Sequence, residues 1–459
     1  MKRTLHQRLQ ATLLRLRRWR DDGGNVAIMT GLLIIPMTFA LGLAYDYTMA
    51  SNRKDQINGM ADAAALGAVT PAMMAQSSSA AQARAISLFD DQVATVQGAT
   101  YDPSNVTVTV NDTPFGATIT RNVTLTYKAA SPNIFASVLG MAAFQIGGSA
   151  SATSGGAPNI DFYTLLDDSP SMEIGATQSD INTMVSHTSQ QGGCAFACHE
   201  TNPTATDVKG NPNGEDNYTL ARNLGVTLRI DLVNTAVQNL MTTAQSTEDQ
   251  NHATYRTAIY TMDYNFTNLK ALTSELTTAD WGSASAQSAA ANIASPVVYN
   301  NNCLTKTNCN SDEDSYLDQG LSDINTAMPA PGGGTNNAGD KPQEVVFIVS
   351  DGTIDEGVGS GGNCGSSTRT CAPINTLIDN CTAIKNRGIR IAFLYTTYYP
   401  LPSNSFYNSY VAPFQSQIAT DAQNCASPGL FFQVDTGGNI SDALQTLFLR
   451  AVSTARLTQ

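Results

Sequence analysis

The chain has 459 residues, 42% of them hydrophobic, and a formal net charge of −13. That length exceeds one small domain and fits two or three folded units with a sizeable core. The acidic balance excludes nucleic acid as an expected partner, because the body of the chain would repel phosphate.

The charge is unevenly placed. Residues 1–23 carry Lys2, Arg3, Arg8, Arg15, Arg17, Arg18 and Arg20 against Asp21 and Asp22, a balance of +5, so the remainder carries −18. From Val26 to Tyr45 the stretch VAIMTGLLIIPMTFALGLAY has no charged residue. About twenty such residues are what a helix needs to cross the ~30 Å hydrocarbon core. Backbone groups in lipid must pair within their own segment, so a helix is predicted, kinked at Pro36. A basic cytoplasmic arm over 1–23, a transmembrane helix over 24–46 and a periplasmic remainder follow from the positive-inside rule. The location implied is a bacterial inner membrane crossed once. The rival is a cleaved signal peptide with Gly42 and Ala44 before the cut, but its apolar region would be too long and its basic region unusually extended. All eight cysteines (Cys194, Cys198, Cys303, Cys309, Cys364, Cys371, Cys381 and Cys425) follow the span, as disulfides in an oxidising compartment require.

Residues 47–155 read as a helical stalk followed by a small α+β module. Ala, Met, Gln and Leu favour helix from Asn52 to about Val96, and Pro71 breaks it in two. The run Ala61-Asp62-Ala63-Ala64-Ala65-Leu66 suits either a stiff stalk or a surface that meets partner helices, since small residues permit close packing. Over 104–128, Val106, Val108 and Val110, then Val123, Leu125 and Tyr127, alternate with threonines. That period predicts paired strands around a Pro114/Gly116 turn. Ser131-Pro132 is expected to open a short helix with Phe135, Val138 and Leu139 on one face. The Gly/Ser/Ala-rich stretch 147–157 is the linker candidate.

From 157 to 459 apolar runs at 161–166, 255–262, 345–349, 389–395 and 430–434 alternate with helical stretches at 219–245, 315–328, 372–387, 406–424 and 439–457. A long insertion falls at about 173–218. Alternation of this kind predicts an α/β fold, a doubly wound and mostly parallel sheet covered on both faces. Ligands in such sheets bind at the carboxyl ends of the strands. The first strand ends in Asp167-Asp168-Ser169-Pro170-Ser171, and VVFIVS ends in Asp351-Gly352. Two acidic strand ends in one parallel sheet converge on one cleft; the plainer alternative is that Asp167 caps a helix and Asp351-Gly352 is a turn.

The Asp-x-Ser-x-Ser pattern after a first strand, with Asp-Gly after a later one, resembles the metal-ion-dependent adhesion site of von Willebrand factor A domains. That family has a third element, a Thr before a helix. Here Ser315 in Ser315-Tyr316-Leu317-Asp318-Gln319-Gly320-Leu321 occupies the matching place, with Thr335 of PGGGT as the alternative. Arg229-Ile230-Asp231 opening a long helix is a further likeness. The resemblance implies a metal site of Asp167, Ser169, Ser171, Ser315 and Asp351, with the serines binding directly and the acids largely through water. Oxygen donors of this kind suit Mg²⁺, with Mn²⁺ or Ca²⁺ as alternatives. The front half, DDGGNVAIMTGLLIIP followed by ADAAALGAV, resembles the anchor of TadG-like proteins of Tad (Flp-type) pilus assembly, which join such an anchor to a von Willebrand factor A-type domain. The segment CAFACH is also similar to that family.

Competing chemistry is weaker. Three residues separate Cys194 from Cys198, where c-type haem attachment needs two. Zinc would require further thiolates or histidines, and the chain has four His. His199-Glu200 is followed by Thr201-Asn202-Pro203, so no HExxH metalloprotease motif is present, and neither a Gly-x-Ser-x-Gly elbow nor a Walker-type loop appears. No enzyme is expected. Local spacing favours disulfides 194–198, 303–309 and 364–371, leaving Cys381 for Cys425. The function implied is a pilus-assembly component that captures an acidic side chain of a protein partner through its metal. The second reading is a periplasmic co-factor or scaffold for another envelope enzyme or ATPase complex.

Overall fold

The computed structural model describes residues 3–197, 216–263, 265–277, 285–291, 315–355, 370–371, 375–435 and 438–452, with side chains described from Val26 onward except at 370–371, 375–377 and 406. The chain divides into one unit of residues 1–111 and 121–154 and another of 112–120 and 155–459.

In the first unit α1 (Arg3–Gly67) runs through Pro36 without interruption. Among the described residues its Val26–Gly67 portion is the one helix long and apolar enough to cross a membrane, with a mean hydropathy of 2.2 over its most apolar stretch. Beyond the apolar stretch, small side chains recur every three or four residues. Ile57, Ala61, Ala64, Ala65 and Ala68 are buried, in one cluster with Ala81, Ala85, Phe89 and Val93 of α3 (Ser78–Val93). The small face of the Ala-rich stretch is therefore used inside its own unit. Between them α2 (Pro71–Met74) starts at the proline that breaks the helix. Buried Arg121 satisfies the carbonyls there, donating to Met73 at 2.5 Å and Gln76 at 2.8 Å.

Strands β1 (Thr100–Phe115), β2 (Thr118–Pro132) and β3 (Ala143–Gly156) form a three-stranded sheet in that order. The third strand corrects two expectations. The stretch 147–157 is mostly strand rather than linker, because Ile146, Ala150 and Ala152 point into the core while Ser149, Ser151 and Thr153 point out. A Cβ on Gly148 would lie 2.2 Å from Asn58 Oδ1 and 2.9 Å from the Tyr127 ring, so only glycine lets the strand pass. The helix expected after Ser131-Pro132 is a single 3-10 turn, Ala136–Leu139, whose Val138 and Leu139 face outward.

The second unit opens with β4 (Ile160–Asp167), α4 (Gln178–His187), α5 (Asn217–Leu224), α6 (Arg229–Asn251), β5 (Tyr255–Met262) and β6 (Phe266–Thr273). It continues with α7 (Ala286–Ala290), α8 (Leu317–Ala327), β7 (Gln343–Ser350), β8 (Ile354–Asp355), β9 (Thr370–Cys371) and α9 (Asn375–Asn386). The last elements are β10 (Arg390–Thr396), α10 (Ser405–Tyr410), α11 (Gln415–Cys425), β11 (Phe431–Val434) and α12 (Ile440–Val452). The six-stranded sheet has the order β11-β10-β7-β4-β5-β6. All pairs are parallel except β5 with the edge strand β6.

The alternation along each strand fills two cores. Phe162, Leu166, Phe347, Val349 and Leu394 face one cluster with α6 and α12, while Tyr163, Leu165, Ile348 and Phe393 face the other with α8 and α11. The helix expected over 219–245 is split at Gly225, whose φ of +68° ends α5 in the left-handed conformation that glycine adopts without strain. Strand β6 was not anticipated: Asn268 and Lys270 interrupt its apolar run, and the strand is only partly buried. Cys381 and Cys425 form a disulfide between α9 and α11, with Cα atoms 5.2 Å apart. The pairings 194–198, 303–309 and 364–371 lie outside the described residues.

Candidate metal centre

Numbered by first appearance, the six strands lie in the order 3-2-1-4-5-6, and the order reverses between β4 and β7. In a doubly wound sheet the crevice at that switch, beyond the carboxyl ends of the two strands, is where ligands bind. Asp167 is the last residue of β4, and Asp351 follows the last residue of β7. Both carboxylates are fully buried.

Donors from both strand ends hold the two acids. The Asp167 Oδ1 accepts the Ser169 backbone N–H at 3.0 Å, and its Oδ2 accepts the Ser350 hydroxyl at 2.5 Å. Asp351 Oδ1 accepts the Thr353 N–H at 3.1 Å. The Ser169 and Ser171 hydroxyls are 3.0 Å apart, and Ser171 lies close enough to Asp351 to favour its charged carboxylate. The Asp-x-Ser-x-Ser turn thereby reaches from β4 across to the tip of β7. Gly352 is required at the crossing: its φ is +71°, and a Cβ there would sit 2.4 Å from Ile418 Cγ2.

Ser315 arrives from the other side. Its backbone pairs with Asp355 in both directions, at 3.2 and 3.0 Å, and its hydroxyl donates to the Thr353 carbonyl at 2.6 Å. The residue just before α8 is thus stitched to the loop that follows Asp351. Gly320, one turn into α8, lets the helix approach the end of β5, since a Cβ there would be 3.1 Å from Met262. The alternative, Thr335, is elsewhere. Its neighbour Gly334 accepts the Asn159 N–H at the start of β4, and its own hydroxyl donates to Asp340 at 2.5 Å. Eight residues of strand separate that edge from Asp167, about 25 Å at the usual rise.

Burial, and then the charge of Asp351, raise the Asp167 carboxyl from the ordinary range to about 7. Asp351 is raised by burial, while Arg229 and the hydrogen bonds from Ser171 and Thr353 pull it back down. The Arg229 guanidinium lies 3.4 Å from Asp351 Oδ2 and also donates to the Thr397 carbonyl at 3.3 Å. Asp168 is fully buried, and neither of its carboxylate oxygens receives a well-formed hydrogen bond among the described residues. Burial and the nearby Asp263 hold it well above the usual carboxylate range, with the Thr261 hydroxyl a weak counterweight. Arg229, Ser350 and Asp168 are the residues that motif reading missed as participants. The signal for Ser350 was present in its position beside Asp351 at a strand end, but only the register with β4 shows that its hydroxyl meets Asp167.

Two buried carboxylates that repel one another, flanked by paired hydroxyls, fit a hard divalent cation. Ser169, Ser171 and Ser315 would supply hydroxyl oxygens, and Asp167 and Asp351 the charge. Among the described residues no three His, Cys, Asp or Glu side chains form a cluster able to hold a metal. A cage built from carboxylates alone is thus not what this crevice offers.

The architecture is that of a doubly wound α/β unit with a hydroxyl–carboxylate crevice at its switch point, joined in sequence to an apolar helix. Residues 24–83 match the Tad family model, described as Flp pilus-assembly TadE/G-like, so the N-terminal segment carries a domain of that kind. No curated protein matches the chain. Among solved structures, the chain is similar to the conserved hypothetical protein BatB from Bacteroides thetaiotaomicron (10% identity, TM-score 0.31, covering 64% of this chain and 100% of that one). It is also similar to the vWF domain of the type V pili tip protein Mfa5 from Porphyromonas gingivalis (10%, 0.32, 66% and 98%). The pilus adhesin SpaC from Lactobacillus rhamnosus GG is similar at 13% identity and TM-score 0.32, over 76% of this chain and 35% of SpaC. At such identities the fold class rests on the strand order itself.

Proposed function

We propose that this protein is an inner-membrane-anchored, periplasm-facing component of Tad/Flp-type pilus assembly. In this reading Ser169, Ser171 and Ser315 hold Mg²⁺ (or Mn²⁺ or Ca²⁺) together with Asp167 and Asp351, and the ion captures an acidic side chain of a protein partner. The role is binding, not catalysis. The observation that carries it is the meeting of Asp167, Ser169, Ser171 and Asp351 at the switch point of the sheet, in a chain whose residues 24–83 match a pilus-assembly family. Bound there, the cation supplies an electrophilic centre. The chain's own residues supply its orientation: Ser350 fixes Asp167, Arg229 fixes Asp351, and the Ser315–Asp355 pairing fixes the third hydroxyl.

Capture of partners by the intact membrane protein, with and without chelator, tests the reading. Chelator and Asp167→Ala should both abolish capture. Capture indifferent to both would leave a membrane-anchored scaffold with no working metal site. Partners drawn from an unrelated envelope enzyme or ATPase complex would favour the scaffold reading over pilus assembly.

A further inference from the structure

The first unit exposes apolar side chains that neither its core nor the metal crevice explains. Ile134, Val138, Leu139 and Met141, in the turn between β2 and β3, are 64%, 73%, 60% and 48% exposed. From Ala129 through Ile160 the sequence has no charged residue. A patch of this kind on a water-facing loop is a liability unless something covers it.

Its attachment says what covers it. Asp46, the first charged residue after the apolar stretch of α1, is buried, and its carboxylate accepts the backbone N–H groups of Ile134, Phe135 and Ala136 at 3.0, 2.8 and 2.8 Å. Three charge-assisted hydrogen bonds at the start of the 3-10 turn hold the loop to the helix. Phe135 reaches one turn back toward the apolar segment, against Gly42, where a Cβ would lie 2.4 Å from its ring. Its ring packs edge-on to Tyr45, and Tyr47 packs edge-on to Phe144. Tyr45 and Tyr47 are 49% and 67% exposed. Tyrosines at the end of an apolar helix mark the headgroup level of a bilayer. The loop is therefore fixed at the depth where a membrane spanned by residues 26–45 would end.

We propose that residues 134–141 form an interfacial wedge that inserts Ile134, Val138, Leu139 and Met141 into the lipid surface beside the anchor. The occupant is the same bilayer, because the patch continues the apolar surface of α1 and is tied to its boundary residue. The wedge fixes the height and rotation of the first unit on the membrane, which a single spanning helix does not do alone. The inference rests on α1 spanning the membrane, and its test separates the two.

In a Trp19→Phe, Trp281→Phe background, single tryptophans are placed by Val138→Trp, Leu33→Trp and Ala83→Trp, and the full chain is reconstituted in vesicles of chain-brominated phosphatidylcholine. Ala83 is exposed on α3, five residues before Leu88, whose side chain meets Gly67 of α1 about 30 Å along the axis from Asp46. Val138→Trp should lose about half or more of its emission to the bromines, as for a ring about 5–10 Å into the headgroup boundary, and shift to the blue. Leu33→Trp should be quenched and Ala83→Trp should not. A quenched Leu33→Trp with Val138→Trp behaving like Ala83→Trp overturns the wedge and leaves the anchor. A blue shift at Val138→Trp without quenching overturns it in favour of a protein contact. Absence of quenching at Leu33→Trp refutes the anchor, and the wedge with it.

Discussion

Protons and metal should compete for the crevice. Metal-free Asp167 is raised from 3.8 to about 7 by burial and by Asp351, a shift on the order of 4 kcal/mol in favour of its protonated form. The sign follows directly. Between the unfolded and folded values, from about pH 4 to pH 7, the folded metal-free chain holds more protons, so its stability falls as pH rises through that window and then levels off. A cation must expel the proton. Asp167 alone would release about 0.9 proton on binding at pH 6 and about 0.1 at pH 8, so apparent affinity should be about tenfold weaker at pH 6 than at pH 8. Isothermal calorimetry with Mg²⁺ on the detergent-solubilised full chain, in two buffers of different ionisation enthalpy, counts those protons. Asp167→Asn should abolish binding while raising metal-free stability near pH 8. Binding that releases no protons at pH 6 and has the same affinity at both pH values would refute the argument.

Three further outcomes are expected. Ser315→Ala should weaken Mg²⁺ binding and, by leaving the Thr353 carbonyl without its donor, cost about 1–3 kcal/mol; Ser315→Thr should retain binding, and Thr335→Ala should leave it unchanged, all read by calorimetry and thermal melts. Replacing Cys381 and Cys425 by Ala opens a loop of 44 residues and should cost about 4 kcal/mol on the loop-entropy account, measured by denaturant titration; a loss under about 1 kcal/mol would show that strain or residual structure cancels the entropy. Reporter fusions at residues 20 and 150 should report opposite compartments, and a mature chain beginning near Tyr45 would overturn the uncleaved anchor.

Much of the second unit was legible because buried parallel strands are short apolar runs with a distinct ending. FYTLL and VVFIVS each close on an acid, and both acids lie at the same edge of the sheet. What periodicity could not convey is pairing at a distance. Placement of Ser315 depends on a bridge to Asp355, and the support of Asp167 by Ser350 depends on β4 lying beside β7. Thr335 looked comparable in sequence because its distance from the crevice is a property of the sheet's two ends. Arg229 read as the start of a helix; only the fold shows that this start lies under Asp351. Strand β3 was hidden for another reason. Its buried positions are alanine and isoleucine spaced by glycine and serine, a composition that signals a linker unless the close approach of Tyr127 and α1 is known.

With the proposed cation in place, the charge balance of the crevice would favour a partner that is itself an acid. Burial and the nearby Asp263 hold the Asp168 carboxyl well above the usual carboxylate range, which works against a further negative charge in the crevice. Asp167 and Asp351 contribute two negative charges once the proton is displaced, and Arg229 returns one positive charge from 3.4 Å. Counted over Asp167, Asp351 and Arg229, a divalent cation placed among them would leave one positive charge in excess. Had the donors been three or four carboxylates, the sum would be negative and an incoming acid would be repelled. In the proposed site, hydroxyls at Ser169, Ser171 and Ser315 would bind the ion without cancelling its charge, and the surplus would be satisfied by a carboxylate arriving from outside. A basic partner would meet the opposite field. Competition of free acetate or glutamate with partner capture, absent for equal concentrations of chloride, is the behaviour this balance requires.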